Sequence, residues 1–262
     1  EGISSGLEKV NKYLDNIKID IEGDMLNNVS AISCNNDAEI GNIIAEAYNS
    51  VGKDGVVLME TSETEETYVE VVDGVQLSEC GLTSPHFVTN TDKQKCELEN
   101  PLVLICMSEI PNIRKIQSVL EYVIKQKRAL LIIADCDQQV YSALAMNKIK
   151  GNIKVNIVDS PTFGFTRKEV LNDIALLTGA IVINEDLGDD MDLIKPEHLG
   201  SCLKATSNQD ETIIRVGEAS EDVSELIEVI KKKLLDTKLT GYKVQYEKRL
   251  TRLTAKVAVV KI

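Results

Sequence analysis

Between residues 101 and 184 the chain alternates short apolar runs with segments of helical period, and this constrains its fold more than any other feature. The runs at 102–107, 130–134, 153–158 and 180–184 have strand length and are bounded by turn-forming residues. Between them, 113–127, 138–149 and 166–178 carry apolar residues at helical spacing, the last ending at Gly179. Strand, helix and strand at such short intervals predict βαβ units, a mostly parallel sheet and right-handed crossovers. The predicted fold class is α/β.

The flanks are less regular. Leu7, Val10 and Leu14 predict an N-terminal helix. Asp37 is placed to cap a second helix running to Ser50, with Ile40, Ile43, Ile44 and Ala47 on one face. Gly52-Lys53-Asp54-Gly55 reads as a turn before strands at 56–59 and 68–72. Beyond the polar stretch 185–200, strands at 202–206 and 212–216 flank Ser207-Asn208-Gln209-Asp210, a hairpin turn. Helices at 220–236 and 242–253 and a strand at 257–262 complete the chain.

Apolar residues make up 43% and charged residues 27% of the 262, enough to build a core. The net charge of −13, with acids and bases interleaved, argues against a nucleic-acid surface. Cys34, Cys80, Cys96, Cys106, Cys136 and Cys202 form no C-x-x-C pair, and only His86 and His198 could join them as metal ligands. They read as reduced core residues, so no metal is expected. No apolar run reaches the roughly 18 residues of a membrane span, and no targeting signal is visible. The chain opens on Glu1 and closes inside an apolar run at Lys261-Ile262, and is expected to be a piece of a longer protein.

An alternating α/β core suits nucleotide-using enzymes, but neither G-x-G-x-x-G nor G-x-x-x-x-G-K-[ST] occurs. Asp135-Cys136-Asp137, after a strand, reads as a capping loop. His86, in Ser84-Pro85-His86-Phe87, has no nucleophile nearby in sequence. No catalytic residue is assigned.

Pro161-Thr162-Phe163-Gly164, followed by Arg167-Lys168-Glu169-Val170-Leu171-Asn172-Asp173-Ile174-Ala175-Leu176-Leu177-Thr178-Gly179, resembles the PGFGxRRKxxLxDIAxLTG signature of the GroEL family, the group I chaperonins. Thr162 and Thr166 depart from it. Collinear blocks at 44–47, 51–56, 130–134, 212–214, 248–253 and 257–262 extend the resemblance over essentially the whole chain. The resemblance implies an equatorial-domain helix remnant at 1–16, a smaller α+β intermediate domain at 17–73 and 255–262, and an apical domain at 74–254. The family's nucleotide-binding segments fall outside these residues. The resemblance therefore implies no cofactor and no ATP hydrolysis here, with ATP and Mg belonging to the full-length ATPase.

It also implies that two helices, 113–127 and 138–149, and the segment 82–87 bind non-native polypeptides and a GroES-like co-chaperonin. The full-length protein would assemble with other subunits into a ring. Position by position, the lining residues are Leu82, His86, Phe87, Gln117, Leu120, Tyr141, Ala145 and Met146, while Ile116, Val123, Leu144 and Ile149 are expected to face the sheet. Gln117 stands where the family usually has leucine and His86 where it usually has an aromatic residue, so a more polar groove is expected. Gly74 marks the outgoing domain crossover. Ala255 and Lys256 replace the paired glycines of the returning one, which predicts a stiffer hinge.

Two other readings stand beside this one: a stand-alone α/β nucleotide-using enzyme, and a scaffold subunit with reduced capture. Phe87-Val88-Thr89-Asn90, with Lys93 and Glu97, looks most like plastid-type members. An organelle interior is therefore expected, a chloroplast or apicoplast ahead of a mitochondrion, with bacterial cytoplasm as the remaining compartment.

Overall fold

The computed structural model describes all residues except 1, 20, 22–23, 53–54, 63–66, 79, 162–163, 218–219, 238–239 and 262. Thr162 and Phe163 of the signature, Lys53-Asp54 of the predicted turn and the final Ile262 thus lie outside the described residues.

In chain order the elements are α1 (Gly2–Ile17), α2 (Met25–Ser33), α3 (Ala38–Val51), β1 (Val56–Glu60), β2 (Tyr68–Ser78), β3 (Cys96–Glu99), β4 (Leu102–Cys106), α4 (Gln117–Gln126), β5 (Leu130–Ile133), α5 (Gln138–Ile149), β6 (Val155–Val158), α6 (Gly164–Thr178), β7 (Val182–Ile183), β8 (Gly200–Ser201), β9 (Lys204–Ser207), β10 (Glu211–Arg215), α7 (Glu221–Asp236), α8 (Thr240–Thr254) and β11 (Lys256–Lys261). A 3-10 turn at Pro85–Phe87 precedes β3, and another at Ile113–Ile116 leads into α4.

The expected βαβ region forms a parallel sheet in the order β6-β5-β4-β7, with short β8 antiparallel to β4. Both faces of β4, β5 and β6 are buried, as sheets sandwiched between layers require. Strand alternation divides the core. Leu104, Leu130, Ile132 and Ile157 face α4, α5 and Phe87, while Val103, Ile105, Leu131 and Ile133 face Val170, Leu171 and Ile174 of α6. Gly179 ends α6 at φ +71, a left-handed conformation that costs glycine little.

The second sheet is less legible from sequence. Its order is β1-β11-β2-β10-β9-β3, antiparallel except for the β1–β11 pair, so the molecule as a whole is mixed α/β. β2 runs six residues past its expected end because it changes partner on the way. Residues 68–73 pair with β11 and residues 74–78 with β10. The helix α2 and strand β3 were not expected at all.

The caps behave as their side chains dictate. Asp37 accepts from the backbone N–H groups of Glu39 and Ile40 at 3.0 and 3.1 Å, opening α3. Asp137 caps α5 by accepting from Gln139 N–H at 2.8 Å. Two facing predictions are corrected. Ile40 is exposed, since Gly41, Ala45 and Ala47 are the buried positions of α3. Ile149 is 60% exposed because α5 ends there, beyond the sheet edge, whereas Ile116, Val123 and Leu144 are buried as expected.

Cys80, Cys96, Cys106 and Cys202 are core residues and Cys136 packs against the core, whereas Cys34 is half-buried outside it. All six are free thiols. Burial pushes those of Cys96, Cys106, Cys136 and Cys202 up to about 12, far from the thiolate form that binds metals or attacks electrophiles.

Candidate functional site

The segment leading into β3 is held against α5 from two sides. Ser84 accepts from His86 N–H at 3.3 Å and Pro85 presets the first turn, so the chain reverses at Pro85–Phe87. This turn drives Phe87 into the core at 0% exposure. From α5, Lys148 Nζ donates to the carbonyl of His86 at 2.8 Å and also to that of Val88. His86 itself is left exposed.

A cavity of about 390 Å³ opens between this turn and α5, walled chiefly by Thr83, Ser84, His86, Tyr141, Ala145 and Asp159. It gathers three of the residues singled out from sequence: His86, Tyr141 and Ala145. Tyr141 donates its phenol proton to Asp159 Oδ1 at 2.5 Å. Burial, followed by that bond and the carboxylate charge, raises the phenol well above its ordinary range, so it stays a donor.

The remaining predicted lining residues lie outside this cavity. Leu82 is half-buried and packs against both halves of the core. Leu120 is half-buried on α4, one turn beyond exposed Gln117, whose amide donates to Glu121 at 2.8 Å. Met146, at 53%, is the most exposed apolar member of the set. Phe87 needs correction as a surface residue, and Ala145 is accessible only where it walls the cavity. At 0% and 6% exposure they are core, because the 3-10 turn and the inner face of α5 point them there.

Sequence reasoning missed Lys148 and Asp159. Asp159 carried a readable signal, since it follows β6 at the carboxyl edge of a parallel sheet, where ligand groups gather. Lys148 carried none, because its role depends on a segment 60 residues away.

The signature residues serve architecture. Asp173, fully buried on α6, takes Arg249 Nε at 2.9 Å and Nη2 at 2.8 Å, and Arg252 Nη1 at 2.7 Å, which fastens α8 to α6. Burial pushes this carboxyl up, and the two guanidiniums oppose it. Arg167 ties the start of α6 to the sheet edge through the Met107 carbonyl at 2.8 Å and Asp135 at 3.0 Å.

A second ionic cluster links the strands on either side of β2. Glu60 on β1 meets Lys204 at 2.9 Å, Arg215 at 3.0 Å and Lys261 at 2.8 Å, joining four strands. Gly74 is needed here for space. A Cβ would lie 2.7 Å from Val257 Cγ2 and 2.9 Å from the Ile214 carbonyl, so close packing leaves no room for a side chain. Gly74 N–H donates to the Ala255 carbonyl at 3.2 Å, and Lys256 pairs with Asp73.

No protein-family model matches the chain. Among curated proteins it is 41% identical over 237 residues to "Chaperonin CPN60-like 1, mitochondrial" of Arabidopsis thaliana, covering 89% of this chain and 40% of that protein. It is 39% identical over 236 residues to each of "Chaperonin CPN60-2, mitochondrial" and "Chaperonin CPN60-1, mitochondrial" of Zea mays, over 89% of this chain and 41% of theirs. The chain thus spans about two fifths of the length of the curated relatives it matches. These relatives overturn the plastid-type expectation, because they carry mitochondrial names. The few residues at 87–97 that suggested a plastid weigh little against some 236 aligned positions. With collinear similarity over nine tenths of its length and the signature helix built into its core, the chain belongs to the group I chaperonins.

Proposed function

We propose that this chain is the polypeptide-capturing part of a mitochondrial chaperonin, with residues 74–254 forming the capturing domain and residues 17–73 with 255–262 its connector to an ATP-hydrolysing portion. The similarity to CPN60 chaperonins over 89% of the chain carries this reading. The capturing surface is the outer face of α4 and α5 with the segment at 82–87. Met146 offers it exposed apolar area, and Leu82 and Leu120 offer partial area beside polar Gln117 and His86.

Such a surface holds an amphipathic segment through apolar contact and few obligatory hydrogen bonds, and so accepts many sequences. Thioether side chains such as Met146 adapt to varied partners. One copy binds weakly, and a ring of copies adds avidity through high effective concentration. A GroES-like co-chaperonin would compete for the same face, and ATP with Mg, bound elsewhere in the full-length protein, would drive the exchange. The crossover at Gly74, Ala255 and Lys256 is the hinge for that movement.

The test is suppression of aggregation. Light scattering from a chemically unfolded client diluted into this chain should rise more slowly than in buffer. Replacing exposed Met146 by serine should weaken the protection while leaving the melting temperature nearly unchanged, and adding Leu120→Ser should remove it at some cost in stability, because Leu120 is partly packed on the core. Equal scattering with and without the wild-type chain overturns the reading.

A further inference from the structure

We infer that the cavity between the Pro85–Phe87 turn and α5 is a subsite for a basic side chain, lysine or arginine, of the captured polypeptide. This rests on the capture reading above and adds a chemical preference to it. The cavity's volume of about 390 Å³ lies within the range of small-ligand pockets, about 300–1,000 Å³, and exceeds what one extended side chain fills.

Several hydrogen-bonding groups on its wall are already committed. Thr83 Oγ1 donates to the Ile157 carbonyl at 3.1 Å, Ser142 Oγ to the Gln138 carbonyl at 2.9 Å, and Tyr141 Oη to Asp159 at 2.5 Å. Three hydroxyl protons are therefore engaged within the protein. Ser84, His86 and Gln138 on the same wall can each donate or accept, so the preference is set by charge rather than by the count of donors and acceptors.

Asp159 supplies the charge. It is the one carboxylate among the described residues lining the cavity. Only its Oδ1 is engaged by Tyr141, and among the described residues its second oxygen has no hydrogen-bond or ion-pair partner. The nearby cation, Lys148, is held by the carbonyls of His86 and Val88. An ammonium or guanidinium entering the cavity would find the open carboxylate oxygen, while its methylene stem lies along the Tyr141 ring and Ala145. Long basic side chains bury themselves in this divided way, stem against apolar surface and head at a polar group. A carboxylate entering instead would meet the repulsion of Asp159 with no Lys or Arg among the described residues on the cavity wall to bond it, and a purely aliphatic side chain would desolvate the Asp159 charge without pairing it.

Three fluorescent amphipathic peptides, identical except for lysine, norleucine or glutamate at one central position, test this by anisotropy. The wild-type chain should bind the lysine peptide about two- to fivefold more tightly than the norleucine one, the scale of a partly exposed ion pair. Glutamate should bind weakest. Asp159→Asn, which keeps an acceptor for Tyr141, should bring the lysine-to-norleucine ratio to one at an unchanged melting temperature. High salt should do the same in the wild type. Equal binding of the lysine and norleucine peptides by the wild type, or an advantage that survives in Asp159→Asn, overturns the subsite and leaves capture standing. No binding of any peptide overturns capture and the subsite together.

Discussion

The ammonium of Lys148, in the last turn of α5, holds the carbonyl of His86 at 2.8 Å and that of Val88 beside it. Two backbone acceptors in a segment with little regular structure are thereby satisfied by one side chain, and the segment is fixed at a set distance from α5. Lys148→Met keeps the stem and removes the bonds. The expected cost is about 1 kcal/mol, because the Val88 carbonyl is partly buried while that of His86 is open to water. Hydrogen exchange should accelerate at 86–89 while the amides of β4 and β5 stay protected. Uniform acceleration across the molecule would instead mark Lys148 as a global stabiliser.

Phe87 separates two roles that sequence similarity alone merges. At 0% exposure among Ile110, Ile116 and Leu144, it lies beneath the proposed capturing surface. Phe87→Ala should cost about 3–5 kcal/mol of stability through lost burial and the cavity left behind, read by urea denaturation. Phe87→Leu should restore most of that stability and leave peptide affinity close to wild type. A large affinity loss in a stable Phe87→Leu protein would show that Phe87 turns outward to meet the ligand.

Gln117 stands one turn before Leu120 on the exposed side of α4, engaged only with Glu121 at 2.8 Å. Gln117→Leu adds apolar area at a polar position of the proposed capturing surface. A contact burying part of that side chain is worth about 1 kcal/mol, below the 1.5–3 kcal/mol of full burial. Affinity for a hydrophobic peptide should rise about fivefold, with little change in stability. No gain would place Gln117 outside the ligand's footprint.

Asp173 shows why a recognisable motif can be structural. It lies fully buried between two arginines that approach from α8, 76 and 79 residues away. Asp173→Asn leaves two guanidiniums facing a neutral amide and should cost about 3–5 kcal/mol, the penalty for breaking a buried ion pair from one side. Arg249→Met and Arg252→Met should each cost less, because Asp173 keeps one partner. A double-mutant cycle between Asp173 and Arg249 should show strong coupling in thermal unfolding. An additive result would place the helix-to-helix contact elsewhere.

What could be read from the sequence follows the range of the interactions. The βαβ stretch was legible because each strand of 102–158 is apolar on both faces and each helix lies between two of them. Local pattern and final environment agree there. Asp37 and Asp137 were legible as caps for the same reason, since their partners lie two or three residues away. The six-stranded sheet was not legible. β2 pairs with strands near residues 213 and 258, and β3 is a short polar-apolar run at an edge that pairs with β9 alone among the described residues. Orientation was the hardest to read. Phe87 and Ile149 are both apolar, yet the first is turned inward by a 3-10 turn and the second stranded at a helix end. Residue type does not distinguish those cases.

Glu60 gives the molecule an acid-sensitive joint. Burial alone would raise its carboxyl, but hydrogen bonds from Lys261 and Lys204 and the charge of Arg215 outweigh this and bring it from 4.5 to about 2. A carboxyl whose value is lower when folded than when unfolded stabilises the fold only while ionised. Its contribution is fully present above pH 4.5 and is lost as pH falls from 4.5 toward 2. The shift corresponds to roughly 3 kcal/mol, or about 2 kcal/mol after allowing for solvent at this partly exposed site. Other carboxylates titrate in the same range, so the informative quantity is a difference. The stability gap between wild type and Glu60→Gln, from urea denaturation, should be widest at pH 6–7 and shrink steadily below pH 4.5. Because Glu60 joins β1 and β11, on one side of β2, to β9 and β10 on the other, the same variant should also loosen the sheet across β2 at neutral pH, seen as faster hydrogen exchange in β2 and β11. A gap independent of pH would mean that the three cations are held by something other than this carboxylate.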